Sequence, residues 1–355
     1  MHIERLVLHN FRNYQHVDLS FSPKLNIFWG NNGQGKTNLL EAIHVLSTGR
    51  SFRTARLQDL IRDGATFFSI EASFYKDEMG QTIQVYYNKT TKKIVYNQAS
   101  HSHFSNLLGI LPSVLLSPDD LSIISGAPAE RRRFLDLHIA QMDPLYLYYL
   151  NRYHKAVKQR NELLRTRKEE TLTAWEHVMA TAACYLIAQR KQASQYLQGP
   201  TSQWMELFSK AEPLHLHYES TLSPHDQEQN CLTQWHKARL KEMQYGTTLI
   251  GPHRDDLSII HCEKEAKYFS SEGQKRSCII ALRFAQWEHM NSFMENSPLL
   301  SIDDYGIQLD PYRHQQLSHH MDRFGQVFLS SPQAIQPLST SCHSFHVNCG
   351  TVTVS

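Results

Sequence analysis

One stretch decides the fold: Gly30-Asn31-Asn32-Gly33-Gln34-Gly35-Lys36-Thr37. It fits the pattern G-x-x-x-x-G-K-[ST], in which glycines permit a tight turn whose main-chain N–H groups point at an anion. A short apolar run, 25–29, precedes the stretch, and apolar residues recur at helical spacing after Lys36. The order strand, glycine loop, helix predicts an α/β fold with a phosphate site at a helix N-terminus.

Each residue of the loop has a predicted role. The main-chain N–H groups of residues 30–35 would surround the phosphates, and Lys36 would reach the β- and γ-phosphates as a ligand and catalytic group. The Thr37 hydroxyl would be a Mg²⁺ ligand. The alternative is a plain glycine turn, which the flanking strand and helix patterns disfavour. All eight residues are therefore candidate ligands of ATP.

A phosphate loop also requires a carboxylate near the metal. The apolar run Leu299 to Ile302 ends in Asp303 and Asp304, which is typical of a buried strand with acids at its carboxyl end. We predict that Asp303 ligates Mg²⁺ and that Asp304 orients or deprotonates the attacking water. By itself an apolar run ending in two aspartates is a weak signal, and the loop strengthens it.

The distance along the chain between these two motifs predicts the architecture. Thr37 and Asp303 are 266 positions apart, so something large is inserted within the nucleotide domain. Such an insertion is typical of ABC-type, SMC-like P-loop ATPase heads, in which both ends of the chain build one head around a helical arm. We predict head parts at 1–125 and 246–355 and an inserted arm at 126–245.

The predicted arm is rich in helical patterns. Apolar residues between Tyr146 and Leu164 recur at three- and four-residue steps, with Arg160 interrupting the seam. A second pattern, 173–197, is the expected antiparallel partner, and Gly199-Pro200 is predicted to end it. Strand patterns return over 247–260, and a helix is expected from about Gln274.

An ABC-type head needs a third element, a Ser/Gly-rich loop that meets the nucleotide of an opposing subunit. The stretch Ser270-Ser271-Glu272-Gly273-Gln274, ahead of Asp303, is the candidate. A helix N-terminus with free N–H groups and a hydroxyl suits an anion. We predict that Ser271, Gly273 and Gln274 complete the site of a second copy. An ordinary capped helix is the alternative.

Longer stretches in the same order extend this pattern over essentially the whole chain. Besides the phosphate loop they are Leu8-His-Asn-Phe-Arg-Asn-Tyr14, Gly49-Arg-Ser-Phe-Arg53, Ser117-Pro-Asp-Asp-Leu121, Arg131-Arg-Arg-Phe-Leu-Asp136, Lys158-Gln-Arg-Asn-Glu-Leu-Leu164 and Gly251-Pro-His-Arg-Asp-Asp-Leu257. With them the sequence resembles the RecF family of SMC-like ATPases.

That resemblance implies a function. A family member would bind ATP and Mg²⁺, dimerise in the ATP-bound form and bind single-stranded, gapped or linear duplex DNA. It would hydrolyse ATP slowly, act with RecO and RecR to help RecA load, and support SOS induction. The implied location is the cytoplasm.

The chain departs from the family pattern in three places. Family members commonly carry alanine and glutamine where Ser270 and Glu272 stand, and Glu272 adds a negative charge near a phosphate site. The loop after the acidic pair reads Ile307-Gln-Leu-Asp310 rather than serine-glutamate-leucine-aspartate, and the last strand carries Ser330 and Ser331 in place of threonines. These changes bear on hydrolysis and on a γ-phosphate sensor, so turnover is left open.

Net charge says little about DNA binding by itself. The chain has 36 Lys+Arg and 34 Asp+Glu, a net +2. Residues 130–168, however, contain ten Lys/Arg and four acids, a net +6, which suits a phosphate backbone. The candidate DNA contacts are Arg131, Arg132, Arg133, Arg152, Lys155 and Lys158. Arginines that brace the fold are an equal alternative for the first three.

Composition excludes several other classes of protein. The most apolar stretch, 107–116, is half a bilayer span and contains Pro112, and the six cysteines form no CxxC pair. No membrane segment, disulfide framework or histidine-based metal site is expected. Two alternatives remain: the ATPase subunit of a transporter or another ABC-type system, and a DNA scaffold that binds ATP without significant turnover.

Overall fold

The structure, a computed structural model, describes residues 1–209, 212–222, 227–305, 311–335 and 342–354, without the side chains of 311–314 and 317. The Ile307–Asp310 loop of the sequence analysis falls outside the described residues. The described strands are β1 His2–Phe11, β2 Tyr14–Ser20, β3 Leu25–Trp29, β4 Phe68–Lys76, β5 Met79–Tyr87, β6 Lys92–Tyr96, β7 Ala99–His101, β8 Ser113–Leu116, β9 Leu214–Glu219, β10 Asp256–His261, β11 Lys264–Glu265, β12 Leu299–Ile302, β13 Val327–Ser331, β14 Cys342–Asn348 and β15 Thr351–Val354.

The α-helices are fewer and differ widely in length. They are α1 Lys36–Thr48, α2 Leu121–Ser125, α3 Pro128–Met142, α4 Pro144–Thr166, α5 Leu172–Phe208, α6 Glu228–Tyr245, α7 Ala266–Phe269, α8 Glu272–Phe293 and α9 Pro311–His320. The predicted order of strand, glycine loop and helix around residues 25–48 is confirmed. The strand pattern at 247–260 is shorter than expected, because β10 begins only at Asp256.

Two compact units divide the chain. The first comprises residues 1–120 and 286–355, and the second comprises residues 121–285. Both ends of the chain therefore build one unit around an inserted one. Residues 246–285 belong to the inserted unit. The boundaries of the helical arm at residues 126 and 245 stay a prediction from the sequence.

The first unit consists of two six-stranded sheets with helix α1 between them. One sheet is antiparallel in the order β2-β1-β4-β5-β6-β7, and the other has the order β15-β14-β3-β13-β12-β8, with β14, β3, β13, β12 and β8 mutually parallel. Strand β3 lies inside the second sheet and is buried along almost its full length, as near-continuous apolar runs in parallel sheets usually are. Helix α1 contacts β4 and β5 of one sheet and β8 and β13 of the other.

The second unit is mainly helical and is organised around a long antiparallel pair, α4 and α5. Ring contacts pair Tyr149 with Tyr185, and an ion pair joins Arg160 to Glu176 further along, so the two helices run in opposite directions. Arg160 is fully buried because Glu176 and Glu242 neutralise its guanidinium at 2.9 and 2.7 Å. The interruption of the apolar seam is thus a buried ion cluster that ties α4 to α5 and α6.

The prediction that Gly199-Pro200 ends the second helix is wrong. Helix α5 continues through Pro200 to Phe208. The turns beyond the proline bury Trp204 and Phe208, and Trp204 also meets the ring of Phe284 at 4.9 Å. Burial of two large aromatic side chains outweighs the hydrogen bond that proline cannot donate.

Candidate nucleotide-binding site

The glycine loop joins β3 directly to α1, and its shape requires glycine. Gly30, Gly33 and Gly35 have φ angles of +149°, +79° and +121°, a region that other residues rarely enter. A Cβ at Gly30 would lie 2.3 Å from the carbonyl oxygen of Val347, and one at Gly35 would lie 2.6 Å from the Asn13 side chain. Two of the glycines are therefore needed for space as well as for conformation.

Neighbouring segments of the first unit hold the loop in place. The Asn13 amide donates to the carbonyl oxygen of Gln34 at 2.8 Å, and the Tyr14 hydroxyl donates to that of Gly35 at 3.0 Å. On the other side, the main-chain N–H of Cys349 donates to the Gln34 side chain at 2.8 Å. The tip formed by residues 31–33 stays exposed, as a ligand-binding turn requires.

The Lys36 side chain folds back over the loop. It is buried, and its Nζ donates to the carbonyl oxygens of Gly30 and Asn31 at 2.6 and 2.9 Å. Burial lowers the pKa of Lys36, while the nearby carboxyl groups of Asp304 and Asp303 act in the opposite direction. The ammonium group thus lies between the loop carbonyls and the acidic pair.

Asp303 meets the loop at the carboxyl edge of the parallel sheet. Its Oδ1 accepts hydrogen bonds from the hydroxyls of Thr37 at 2.9 Å and Ser330 at 2.6 Å. The group is buried, and burial is the main cause of its raised pKa; Asp304 raises the pKa further, while the two hydroxyl bonds lower it. Thr37 and Asp303 are 266 positions apart in the sequence but adjacent in the structure. Strand β3, which leads into the glycine loop, and strand β12, which leads into Asp303, lie in one sheet with only β13 between them.

Asp304 is held by the backbone rather than by its carboxylate. Its φ is +55°, and its main-chain N–H donates to the Ser330 hydroxyl at 2.8 Å. Ser330 therefore bonds both members of the acidic pair. The sequence indicates only a γ-phosphate sensor for the two serines of β13, because the pairing of β13 with β12, which brings Ser330 to the acidic pair, leaves no local pattern.

The Ser/Gly-rich loop lies in the second unit, immediately before α8. Ser271 caps the helix: its N–H donates to the Gln274 side chain at 2.9 Å, and its hydroxyl accepts from the Gln274 N–H at 3.3 Å, a reciprocal capping box. Glu272 is bonded to Arg276 one turn later at 2.7 Å. The charge that departs from the family pattern thus has a cation beside it.

The predicted DNA contacts fall into two groups. Arg131 is buried and makes two hydrogen bonds to Asp256, at 2.7 and 2.8 Å, and Arg132 donates to the Asp255 carbonyl oxygen. Exposed side chains make up the rest of the set: Arg133, Arg152, Lys155 and Lys158. The last three follow one another at three-residue steps on α4, so they form a basic stripe along one face of the helix.

No metal-ligand cluster or membrane helix is present in the part of the chain that the structure describes. Groups of three or more His, Cys, Asp and Glu side chains with metal-binding geometry are absent there. Among the same residues, no helix combines the length and apolar character needed to cross a bilayer.

The sequence matches the family model of the RecF/RecN/SMC N-terminal domain over residues 2–337. The DNA replication and repair protein RecF of Protochlamydia amoebophila is 43% identical over 337 residues, covering 93% of this chain and 94% of that protein. RecF of Chlamydia caviae is 38% identical, covering 100% and 98%. The chain belongs to the RecF family.

Solved structures agree with this assignment. The recombination mediator protein RecF with ATP, of the RecFOR pathway, matches this structure with a TM-score of 0.92 at 27% identity, over 100% of this chain and 97% of that chain. An Smc head domain from Pyrococcus furiosus matches with a TM-score of 0.60 at 18% identity, covering 100% and 96%, which supports the fold alone. The predicted SMC-like, ABC-type ATPase fold is confirmed, and RecF membership disfavours the transporter alternative.

Proposed function

We propose that this RecF family member is an ATP-gated DNA-binding protein of recombinational repair and replication-fork maintenance. The observation that carries the proposal is the convergence of the Thr37 and Ser330 hydroxyls on Asp303, beside the glycine loop and Lys36. The RecF structure solved with ATP supports ATP as the nucleotide. The chain's phosphate loop has the glycine conformations that such a ligand requires.

The residues of the first unit divide the work of nucleotide binding. The N–H groups of residues 30–35 and the α1 N-terminus bind phosphate oxygens, and Lys36 shifts from the loop carbonyls to the β- and γ-phosphates. Asp304, next to Asp303 on the same turn, orients or deprotonates the attacking water.

Mg²⁺ fits the side chains present. The Thr37 hydroxyl and the Asp303 carboxylate are oxygen donors 2.9 Å apart, and Mg²⁺ favours one or two protein oxygens together with phosphate and water. When bound, Mg²⁺ would neutralise charge on the β- and γ-phosphates. The positive charge of Mg²⁺ would also offset the free-energy cost of burying the negative charge of Asp303.

Dimerisation would complete the site. Ser271, Gly273 and Gln274 would meet the γ-phosphate bound by a second copy, because the first turn of α8 directs its main-chain N–H groups and the Ser271 hydroxyl towards an anion. ATP then favours the closed dimer, and hydrolysis opens it. The basic stripe of α4 would contact the DNA backbone without reading sequence. RecO and RecR are the proposed partners in assisting RecA loading, with SOS induction downstream and the cytoplasm as the compartment.

A DNA-retention assay tests this proposal. Wild-type protein should be retained on gapped DNA with ATP and released with ADP, whereas Lys36→Ala should not respond to nucleotide. Equal retention of both proteins in every nucleotide state would contradict it.

One alternative is kept, a DNA scaffold that binds ATP without turnover. The Glu272–Arg276 pair occupies the loop where the family commonly has glutamine, which favours testing it. Phosphate release that rises with gapped DNA and is abolished by Asp304→Asn would exclude the scaffold. If the wild-type protein releases no more phosphate than the Asp304→Asn variant does, the protein is a scaffold that binds ATP without turnover.

A further inference from the structure

A half-buried acid, Glu212, and a buried histidine, His261, lie directly behind the Ser/Gly-rich loop. Strands β9 and β10 pair antiparallel, with Leu214 opposite His261, and the Cys262 N–H donates to the Pro213 carbonyl oxygen at 3.0 Å. This register brings Glu212, just before β9, beside the end of β10. The chain then turns through β11 and α7 and arrives at Ser270.

Hydrogen bonds link this pair to the loop. The Gln274 Nε2 donates to Glu212 Oε1 at 2.8 Å, and His261 Nδ1 lies 2.9 Å from the Ser270 hydroxyl. His261 Nε2 is 3.5 Å from Glu212 Oε2, so one carboxylate joins both branches. The Ser270 hydroxyl thus connects His261 to the start of the loop.

The carboxylate fixes which way the Gln274 amide faces. Glu212 can only accept hydrogen bonds, so it must receive the amide NH₂ of Gln274. The amide oxygen is thereby directed at the Ser271 N–H, which donates to it at 2.9 Å. Because the Ser271 hydroxyl accepts the Gln274 main-chain N–H, its own hydrogen remains available to a ligand.

We propose that Glu212 and His261 are positioning residues that hold the Ser271 loop in the shape that receives the second copy's γ-phosphate. Glu212 acts through Gln274, and His261 acts through Ser270. The inference rests on the proposed ATP-dependent dimer. It assigns part of the composite site to one end of the strand pair β9–β10, where Glu212 and His261 lie outside the stretches that resemble the family.

Glu212→Ala, made in an Asp304→Asn background to block hydrolysis, tests the proposal. The ATP concentration for half-maximal dimer formation should rise about tenfold or more, since a hydrogen bond to a charged group is lost. Binding of a fluorescent ATP analogue to the monomer should not change, because the glycine loop is intact. Glu212→Gln keeps an acceptor for Gln274 and should restore dimer formation to within about threefold of the background protein.

Glu206→Ala is the matched control, because Glu206 is an exposed glutamate of the same unit. It should dimerise normally. If Glu212→Ala also dimerises normally, or if Glu212→Gln is as defective as Glu212→Ala, the inference is wrong. If the Asp304→Asn protein itself fails to dimerise with ATP, the proposed function has failed instead.

A mixing experiment separates positioning from damage to the fold. Lys36→Ala has an intact Ser271 loop, and Glu212→Ala has an intact glycine loop, so a mixed dimer contains one complete site. At an ATP concentration too low for either variant to dimerise alone, mixing the two should restore ATP-dependent dimers. Failure to restore them would mean that Glu212 supports the fold in general and not the composite site.

Discussion

In the absence of ligand, the buried carboxylate of Asp303 lowers the stability of the folded protein, because its charge is removed from water. Asp303 is almost fully buried, and two hydroxyl bonds offset only part of the cost of removing its charge from water, so its pKa is raised. The native state therefore holds the proton more tightly than the unfolded chain. Stability from this group is greatest at acid pH and falls as pH rises through the unfolded and then the folded pKa.

Asp303→Asn should therefore stabilise the metal-free protein while abolishing its response to Mg²⁺ and ATP. Asparagine keeps an acceptor for Thr37 and Ser330 without the buried charge. At pH 7 the melting temperature should rise by about 2 °C or more, and the gain should shrink as the pH is lowered. Asp119→Asn, at an exposed aspartate, is the control and should change neither property. A lower melting temperature for Asp303→Asn would contradict this account of burial.

At the same scale, the sequence predicted the loop residues and the acidic pair but not their supports. Lys36 and Thr37 belong to a short pattern whose chemistry is recognisable from spacing alone. The role of Ser330 depends on β13 lying between β3 and β12, and that of Glu212 depends on the register of β9 and β10. Long-range strand pairing leaves no local signal at either residue.

Helix α1 is fixed to its unit by a buried ion pair. Arg12, at the turn after β1, donates twice to the Glu41 carboxylate at 2.7 and 2.6 Å, and the Glu41 side chain is fully buried. Bidentate pairing of this kind fixes direction as well as distance. The pair therefore sets the position of the helix whose N-terminus forms the phosphate site.

Arg12→Ala should destabilise the protein by roughly 3 kcal/mol, because it removes the bidentate partner of a buried carboxylate and leaves only the partly exposed Arg53, 3.9 Å away, to offset the charge. Urea unfolding of the first unit measures the loss. Arg5 supplies a matched control: it also pairs bidentately with an aspartate, Asp18, but both side chains are substantially exposed. Arg5→Ala should have little effect. If Arg12→Ala and Arg5→Ala lower the free energy of unfolding equally, the burial of Glu41 does not make its ion pair more important for stability.

Local patterns predicted α1 and α4 well, and they failed at the end of α5. The seam of α4 is repeated often enough to be read from the sequence, with Tyr146, Tyr153 and Leu164 all buried. At Pro200 the local rule favoured a helix end, and tertiary burial of Trp204 overrode it. Helix breakers are thus reliable only where nothing beyond them needs to be buried.

On the scale of the whole molecule, the near-neutral charge conceals an uneven distribution. The net +6 of residues 130–168 is partly used internally, since Arg131 and Arg160 are buried in ion pairs. The basic side chains that stay exposed include the stripe on α4. The spacing between the motifs predicted the insertion that carries this stripe. Only the structure shows which of the basic side chains in the insertion are exposed.

Replacing Arg152, Lys155 and Lys158 together with alanine should weaken binding to all DNA sequences alike. The logarithm of the affinity falls as the logarithm of the salt concentration rises, and each lost phosphate contact should make that fall shallower by about 0.9. Titrations of gapped duplex at several salt concentrations measure that slope. Lys237→Ala with Lys241→Ala, at exposed lysines of α6, should leave it unchanged. An unchanged slope for the triple variant would remove α4 from the DNA interface.

The central claim is that ATP joins two copies through the glycine loop of one and the Ser271 loop of the other. Light scattering during size-exclusion chromatography of the Asp304→Asn protein tests it most directly. We expect a mass of 41.2 kDa with ADP and a doubled mass with ATP and Mg²⁺, with no doubling once Lys36 is also replaced. A mass of 41.2 kDa in every nucleotide state would contradict it.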